Sequence, residues 1–210
     1  MKLRPPDYGQ HVVFLGSTGS GKSYLAEKLL GYYDSFFLFD TQDSLNIKAK
    51  SIKTPDQLKF WLKVEKRIKY IPKFEFRNKY AMNYVFDVLS QESKKSKPKP
   101  KIIYIDEIYH LGYGASFPVR LPQSIATARQ KKQSFWVCTQ RPKMIPLQVL
   151  TESTYIFVFY LSRKEDIKYI SEFARNSDGL FQDLSNQKND FSFIRISVRD
   201  GTYEKFYKIN

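Results

Sequence analysis

Apolar residues in this chain gather into short unbroken runs, and the polar stretches between them carry apolar residues at helical spacing. The first run, HVVFLG from His11, is bounded by glycine. GSTGSGKS follows it, and then YLAEKLLGYY, in which Leu25, Leu29 and Leu30 share one helical face. The pattern predicts strand, glycine loop and helix. FFLFD (Phe36 to Asp40) predicts a buried strand, and Thr54 with Pro55 at the next position predicts the capped start of a helix reaching about Glu65. Ile68 to Ile71, ended by Pro72, is a further strand, and Asn78 to Ser90 a helix with Met82, Val85, Phe86 and Leu89 on one face.

The second half repeats the alternation. KIIYIDE is the most apolar strand, Gln123 to Lys132 a helix, Phe135 to Gln140 a strand, Tyr155 to Leu161 a strand, and Lys164 to Asn176 an amphipathic helix. Ile108 to Pro122, rich in Gly, Pro and aromatics, reads as loop, as does the lysine- and proline-rich ESKKSKPKPK at 92–101. FSFIRISVRDGTYEKFYKI predicts a terminal hairpin turning at Asp200-Gly201, whose alternation sets Phe191, Phe193 and Arg195 on one face and Ser192 and Ile194 on the other. Strands apolar throughout and separated by helices imply a mostly parallel sheet covered on both faces, a doubly wound α/β domain. With no linker or repeat in view, the 210 residues read as one domain, its core at about 11–176 and its hairpin at about 191–209.

Composition narrows the class. At 42% hydrophobic and 27% charged residues the chain is a globular one, with no run near the roughly 20 apolar residues of a bilayer span and no apolar leader at Met1 to Gln10. A cytoplasmic location is expected. The single Cys138 excludes an internal disulfide, no Cys/His cluster has zinc spacing, and His11 and His110 stand alone as structural residues. The balance of 35 basic against 21 acidic residues leaves +14, which favours a polyanionic partner, nucleic acid or an anionic membrane surface.

Chemistry enters at Gly16-Ser17-Thr18-Gly19-Ser20-Gly21-Lys22-Ser23, which fits G-x-x-x-x-G-K-[ST] between a strand and a helix. Such a loop turns backbone N–H groups toward phosphate oxygens, and the helix adds its positive end. Lys22 is expected to reach the β- and γ-phosphates of ATP, and the Ser23 hydroxyl to ligate Mg²⁺. Asp106, at the C-terminal tip of KIIYIDE, suits a direct or water-mediated Mg²⁺ contact, and Glu107 beside it is the candidate base for the attacking water. This pair favours hydrolysis over phosphoryl transfer to a small acceptor. It also implies an extra strand between the phosphate-loop and Mg²⁺ strands, hence the additional-strand, catalytic-glutamate (ASCE) P-loop arrangement with order 5-1-4-3-2.

From Ala128-Arg129 to Thr139-Gln140-Arg141-Pro142 the chain resembles the fourth-strand segment of the FtsK–HerA superfamily of DNA-pumping ATPases. FFLFDTQ and YIFVFYLSRKEDIKYI extend the resemblance over most of the chain from Val12 onward. The resemblance implies that Gln140 senses the γ-phosphate or the lytic water and that Arg129 acts in trans, as an arginine finger entering the site of a neighbouring subunit in a ring, by family likeness a hexamer. Without room for the accessory modules of larger members, the chain is most similar to the genome-packaging ATPases of tailless double-jelly-roll viruses. That implies double-stranded DNA and capsid vertex proteins as partners, in the host cytoplasm or at the packaging vertex of the virion. A trimmed plasmid, conjugative or HerA-like motor stays open as an alternative, as do a nucleotide kinase and a non-enzymatic basic binding module.

Lys94, Lys95, Lys97 and Lys99 crowd one loop with Lys101, Lys131 and Lys132 follow Arg129, and Arg120 closes the loop after Glu107. Flexible lysines suit contact with a phosphate backbone irrespective of sequence, so these are the candidate DNA contacts. Tyr109, Tyr113 and Phe117 in the loop after Glu107 are read either as a moving DNA contact or as a buried aromatic cluster.

Overall fold

A computed structural model of the chain describes residues 3–92, 101–111 and 117–207. In chain order its elements are β1 (Val12–Leu15), α1 (Lys22–Leu30), β2 (Phe36–Asp40), β3 (Lys50–Ile52), α2 (Leu58–Val64), β4 (Arg67–Tyr70), α3 (Lys79–Glu92) and β5 (Lys101–Asp106). Then follow α4 (Arg120–Ala128), β6 (Gln133–Thr139), α5 (Leu147–Thr151), β7 (Tyr155–Val158), α6 (Lys164–Ser171), α7 (Ser177–Ser185), β8 (Phe193–Ser197) and β9 (Thr202–Phe206).

The strands form a single nine-stranded sheet, ordered β3-β4-β2-β5-β6-β1-β7-β8-β9. From β3 to β7 all neighbours are parallel, whereas β7–β8 and β8–β9 are antiparallel. Strand β1 lies between β6 and β7, with Val12 opposite both Trp136 and Tyr155. Next out is β5, beside β6, with Asp106 level with Asp40 of β2 on its other side.

Successive side chains of each strand enter opposite layers, which is why the central stretches Val12–Leu15, Phe36–Phe39 and Ile102–Ile105 are apolar at every position. Val13, Leu15, Ile103, Ile105, Phe135 and Val137 pack with apolar residues of α2 to α7 on one face. Val12, Phe14, Ile102, Tyr104, Trp136 and Cys138 pack with Leu25, Leu29 and Leu30 of α1 on the other. The aromatic weight of the second face lies toward the hairpin: Phe14 stacks on Phe157, Phe157 meets Phe193 edge to face, and Phe193 stacks on Phe206 at 4.8 Å. Such pairs contribute about 1 kcal/mol each beyond the area they bury.

Several boundaries differ from the sequence reading. The helix expected from Gln123 begins at Arg120, because Pro122 falls in its first turn, where no backbone N–H has an intrahelical partner anyway. The helix expected over Lys164 to Asn176 ends at Ser171; α7 then starts anew from Asn176, whose side chain accepts a hydrogen bond from Gly179 N. The strand read as Tyr155 to Leu161 ends at Val158, although Phe159 N still donates to Leu15 O. The start near Thr54 is a capping box on a short 3-10 turn that leads into α2. No helix among the described residues is long and apolar enough to cross a membrane.

Candidate functional site

All seven parallel strands point the same way, so the loops after β1, β2, β5, β6 and β7 open on one edge of the sheet, where ligands of open α/β sheets bind. The glycine loop after β1 sits astride the ends of its two neighbours. Gly16 N donates to Thr139 O of β6 at 3.3 Å, and Ser17 N to Tyr160 O beyond β7 at 2.8 Å. Gly16 must be glycine, since a Cβ there would lie 2.6 Å from Ser20 Oγ and 2.7 Å from Phe159 Cβ. Ser20 Oγ is buried and has no hydrogen-bond partner among the described residues. Thr18 and Gly19 form the outer rim of the loop; nothing lies within 4 Å of where a Gly19 Cβ would be.

Lys22 is almost wholly buried and folds back over the loop to donate to Ser17 O at 2.9 Å. Burial lowers its pKa, opposed by the carboxylates of Glu107 and Asp106. Ser23 Oγ donates to Asp106 Oδ1 at 3.3 Å, so the two expected Mg²⁺ ligands face each other across the site. The same oxygen accepts from Tyr104 OH at 2.9 Å, and Ser44 Oγ donates to Oδ2 at 3.1 Å. Burial, then the neighbouring Cys138 and Asp106, hold the Tyr104 phenol well above its ordinary value, so it remains a donor to the carboxylate. Cys138, a buried neutral thiol 3.0 Å from the phenol, is a core residue.

Ser44 is placed by a second carboxylate. Asp40, fully buried at the end of β2, accepts from Ser44 N at 3.0 Å and from Leu45 N at 2.9 Å, and Lys69 Nζ lies 3.6 Å from its Oδ2. The loop after β2 is thereby wrapped around Asp40 so that its hydroxyl reaches Asp106. Neither Tyr104 nor Ser44 is singled out by the sequence. Tyr104 reaches Asp106 from two positions earlier on the same face of β5, whereas the contact of Ser44 depends on β2 lying beside β5.

Glu107 follows Asp106 with φ +52, a left-handed conformation uncommon for a residue with a side chain. The turn brings its carboxylate toward the end of β6, where Thr139 Oγ1 donates to Oε1 at 3.2 Å. Just beyond β6, Gln140 Oε1 accepts from Thr18 Oγ1 at 2.9 Å, tying the strand end to the glycine loop. His110 joins the loops after β2 and β5, its Nδ1 3.0 Å from Thr41 Oγ1.

The remaining sequence candidates lie elsewhere. Arg129 stands at the opposite edge of the sheet, between α4 and β6, and its guanidinium donates to Glu152 O. Lys131 and Lys132 share that edge, with Lys131 Nζ 3.2 Å from Ser90 Oγ. Arg120 pairs with Asp87 at 3.0 Å and with Gln123 at 2.9 Å, fastening α4 to α3. Lys101 begins β5 and is buried, so it is no part of an exposed lysine loop. Lys94, Lys95, Lys97, Lys99 and Tyr113 lie outside the described residues. Phe117 is half-buried against the core, as the buried-cluster reading expects, while Tyr109 is 43% exposed.

No protein-family model matches the chain, and no curated protein matches it. Solved structures do. The genome-packaging NTPase B204 of Sulfolobus turreted icosahedral virus 2, in complex with AMPPCP, is 19% identical with a TM-score of 0.75, over 99% of this chain and 100% of that one. Its sulfate complex gives 18% and 0.79, over 99% and 98%. VirB4 of Thermoanaerobacter pseudethanolicus is 12% identical with a TM-score of 0.64, over 95% of this chain and 89% of that one. A likeness at this identity is one of fold, and the chain has the mostly parallel α/β fold of the P-loop NTPases that it shares with these proteins.

Proposed function

We propose that this chain is an ATP-hydrolysing motor that translocates double-stranded DNA and packages a viral genome into a preformed capsid. The observation that carries the reading is the convergence on one sheet edge of a phosphate loop, Lys22, a Ser23–Asp106 pair and a Glu107 carboxylate turned toward the same opening. Nucleotide complexes of the B204 neighbours and the genome-packaging role of those proteins support it, as does the +14 charge.

In this reading the loop N–H groups and Lys22 hold the triphosphate. Ser23 and Asp106 present hard oxygens on facing side chains, the donor set that suits Mg²⁺, which keeps most of its shell as water and phosphate oxygen. When bound there the ion neutralises charge on the β- and γ-phosphoryl oxygens. Glu107, positioned by Thr139, takes the proton of the attacking water, and Gln140 couples that event to the loop through Thr18. Arg129, on the far edge of its own sheet, serves the site of an adjacent copy, so the working form is a ring, by family likeness a hexamer.

The test is ATP turnover with and without duplex DNA at low and high salt. We expect stimulation by DNA that weakens as salt rises, and Glu107→Gln that binds ATP but loses at least a hundredfold in turnover. Phosphate transfer to a small acceptor instead of water would make the chain a kinase, and absence of turnover with DNA binding intact a basic binding module. The likeness to VirB4 favours a conjugative motor as the second reading, distinguished by failure to package DNA into capsids.

A further inference from the structure

The glycine loop has two flanks. Toward β5 and β6 stand Asp106, Glu107 and Gln140. Toward β7 and β8 the loop meets aromatic rings. Gly21, with φ +104, opens α1; a Cβ at this position would lie 3.0 Å from Phe191 Cδ1 and 3.4 Å from Phe159 Cε1. Phe159 is fully buried and packs on Phe193 with ring centroids 5.3 Å apart. Phe191 is the reverse case, a ring 53% exposed beside the start of α1.

Its position is built. Phe191 has φ +65, an outlier for a bulky side chain and the kind of strain that collects at ligand-holding sites. Asp190 Oδ1 accepts from Ser192 N at 3.1 Å. Gln187 Nε2 donates both to Ser192 O at 2.9 Å and to Val158 O at 3.3 Å, so the loop before β8 is clamped to the end of β7. The sequence reading set Phe191 on the hairpin with Phe193; instead it precedes the strand and turns away from the packed aromatic face.

A nucleotide whose terminal phosphate faces Asp106 and Glu107 must send its sugar and base out by the other flank, past Gly21. We propose that Phe191 is the stacking platform for that base. The inference rests on the phosphate-loop reading above and adds the site for the other half of the ligand. A base offers its π-face whatever its identity, so this contact supplies affinity and leaves base selection to other groups.

The experiment compares ATP with inorganic tripolyphosphate, which has the phosphates but no base, by calorimetric titration of the full chain. Phe191→Ala is expected to lose about tenfold in ATP affinity with tripolyphosphate affinity unchanged. Phe191→Trp, with a larger ring, is expected to hold ATP within about threefold of the unaltered chain. Equal ATP affinity in Phe191→Ala, or equal loss for both ligands, overturns the proposal; the latter makes the ring a support for the loop. Failure of the unaltered chain to bind either ligand overturns the phosphate-loop reading instead, and is recognisable because it appears without any substitution.

Discussion

Acid should loosen this protein at the edge of the sheet away from the glycine loop, and the residue responsible is His11. Its imidazole is 1% exposed, accepts a hydrogen bond at Nδ1 from Phe135 N at 2.9 Å, and lies with Nε2 3.1 Å from Ile125 O. That pairing requires the neutral ring with its proton on Nε2. Burial, then the charge of Arg129, lower its pKa from 6.5 to about 4, against a smaller opposing effect of the Ile125 carbonyl. Between these values the unfolded chain holds a proton that the folded one does not, so stability is complete above pH 6.5 and falls as pH drops toward 4. The full loss is about 3 kcal/mol, of which about 2 kcal/mol is gone at pH 5. With an m value near 2 kcal/mol/M, the urea midpoint drops by about 1 M from this group alone. Carboxylates also titrate in this range, so the readout is the midpoint of the unaltered chain minus that of His11→Gln, measured at pH 7.5 and pH 5. The advantage of histidine should shrink by about 1 M between them. A difference that stays constant would refute the argument and show that the ring is already charged in the fold or reached by water.

Three further outcomes follow from the geometry. Lys69→Ala removes the only ammonium within 4 Å of the fully buried Asp40 among the described residues; it should cost about 3 kcal/mol in urea unfolding and release the loop that carries Ser44. Gly16→Ala drives a methyl group into Ser20 and Phe159, and should abolish ATP binding by calorimetry while the far-UV spectrum is retained. Arg129→Ala should fold normally, lose turnover by at least a hundredfold, and lower activity more than in proportion when mixed with unaltered subunits; strictly proportional activity in the mixtures would rule out a role in trans.

The β1–loop–α1 unit, FFLFD and KIIYIDE were legible because each strand is buried on both faces, so its whole length is apolar and its end coincides with a carboxylate or glycine. The edges were not. Strand β3 is Lys50–Ile52 with only Ile52 buried, too little for an alternation to register, and α5 has only five residues. Helix α7 was hidden by Gly179 in its first turn, which reads as a breaker, and by the polar residues around Leu180 and Leu184. Within the site, residues contiguous with a motif could be named, whereas those arriving from another strand end could not. Ser44 looks like any loop residue until β2 is set beside β5, and Asp40 looks like a strand terminus until Lys69 is seen next to it. Phe191 was assigned by strict alternation, which fails where the backbone turns left-handed before the strand begins.

The place of β1 in the sheet has a kinetic consequence. Of the strands in this sheet it is the first to be made, yet both of its neighbours, β6 and β7, are made last among the parallel strands. At ordinary rates of synthesis, the roughly 120 residues between Val12 and Trp136, its partner on the first of these neighbours, take on the order of 6–25 s to appear. Throughout that interval the nascent chain carries an apolar segment with neither lateral partner, a natural target for a chaperone, and the carbonyls that anchor Gly16 and Ser17 have yet to be made.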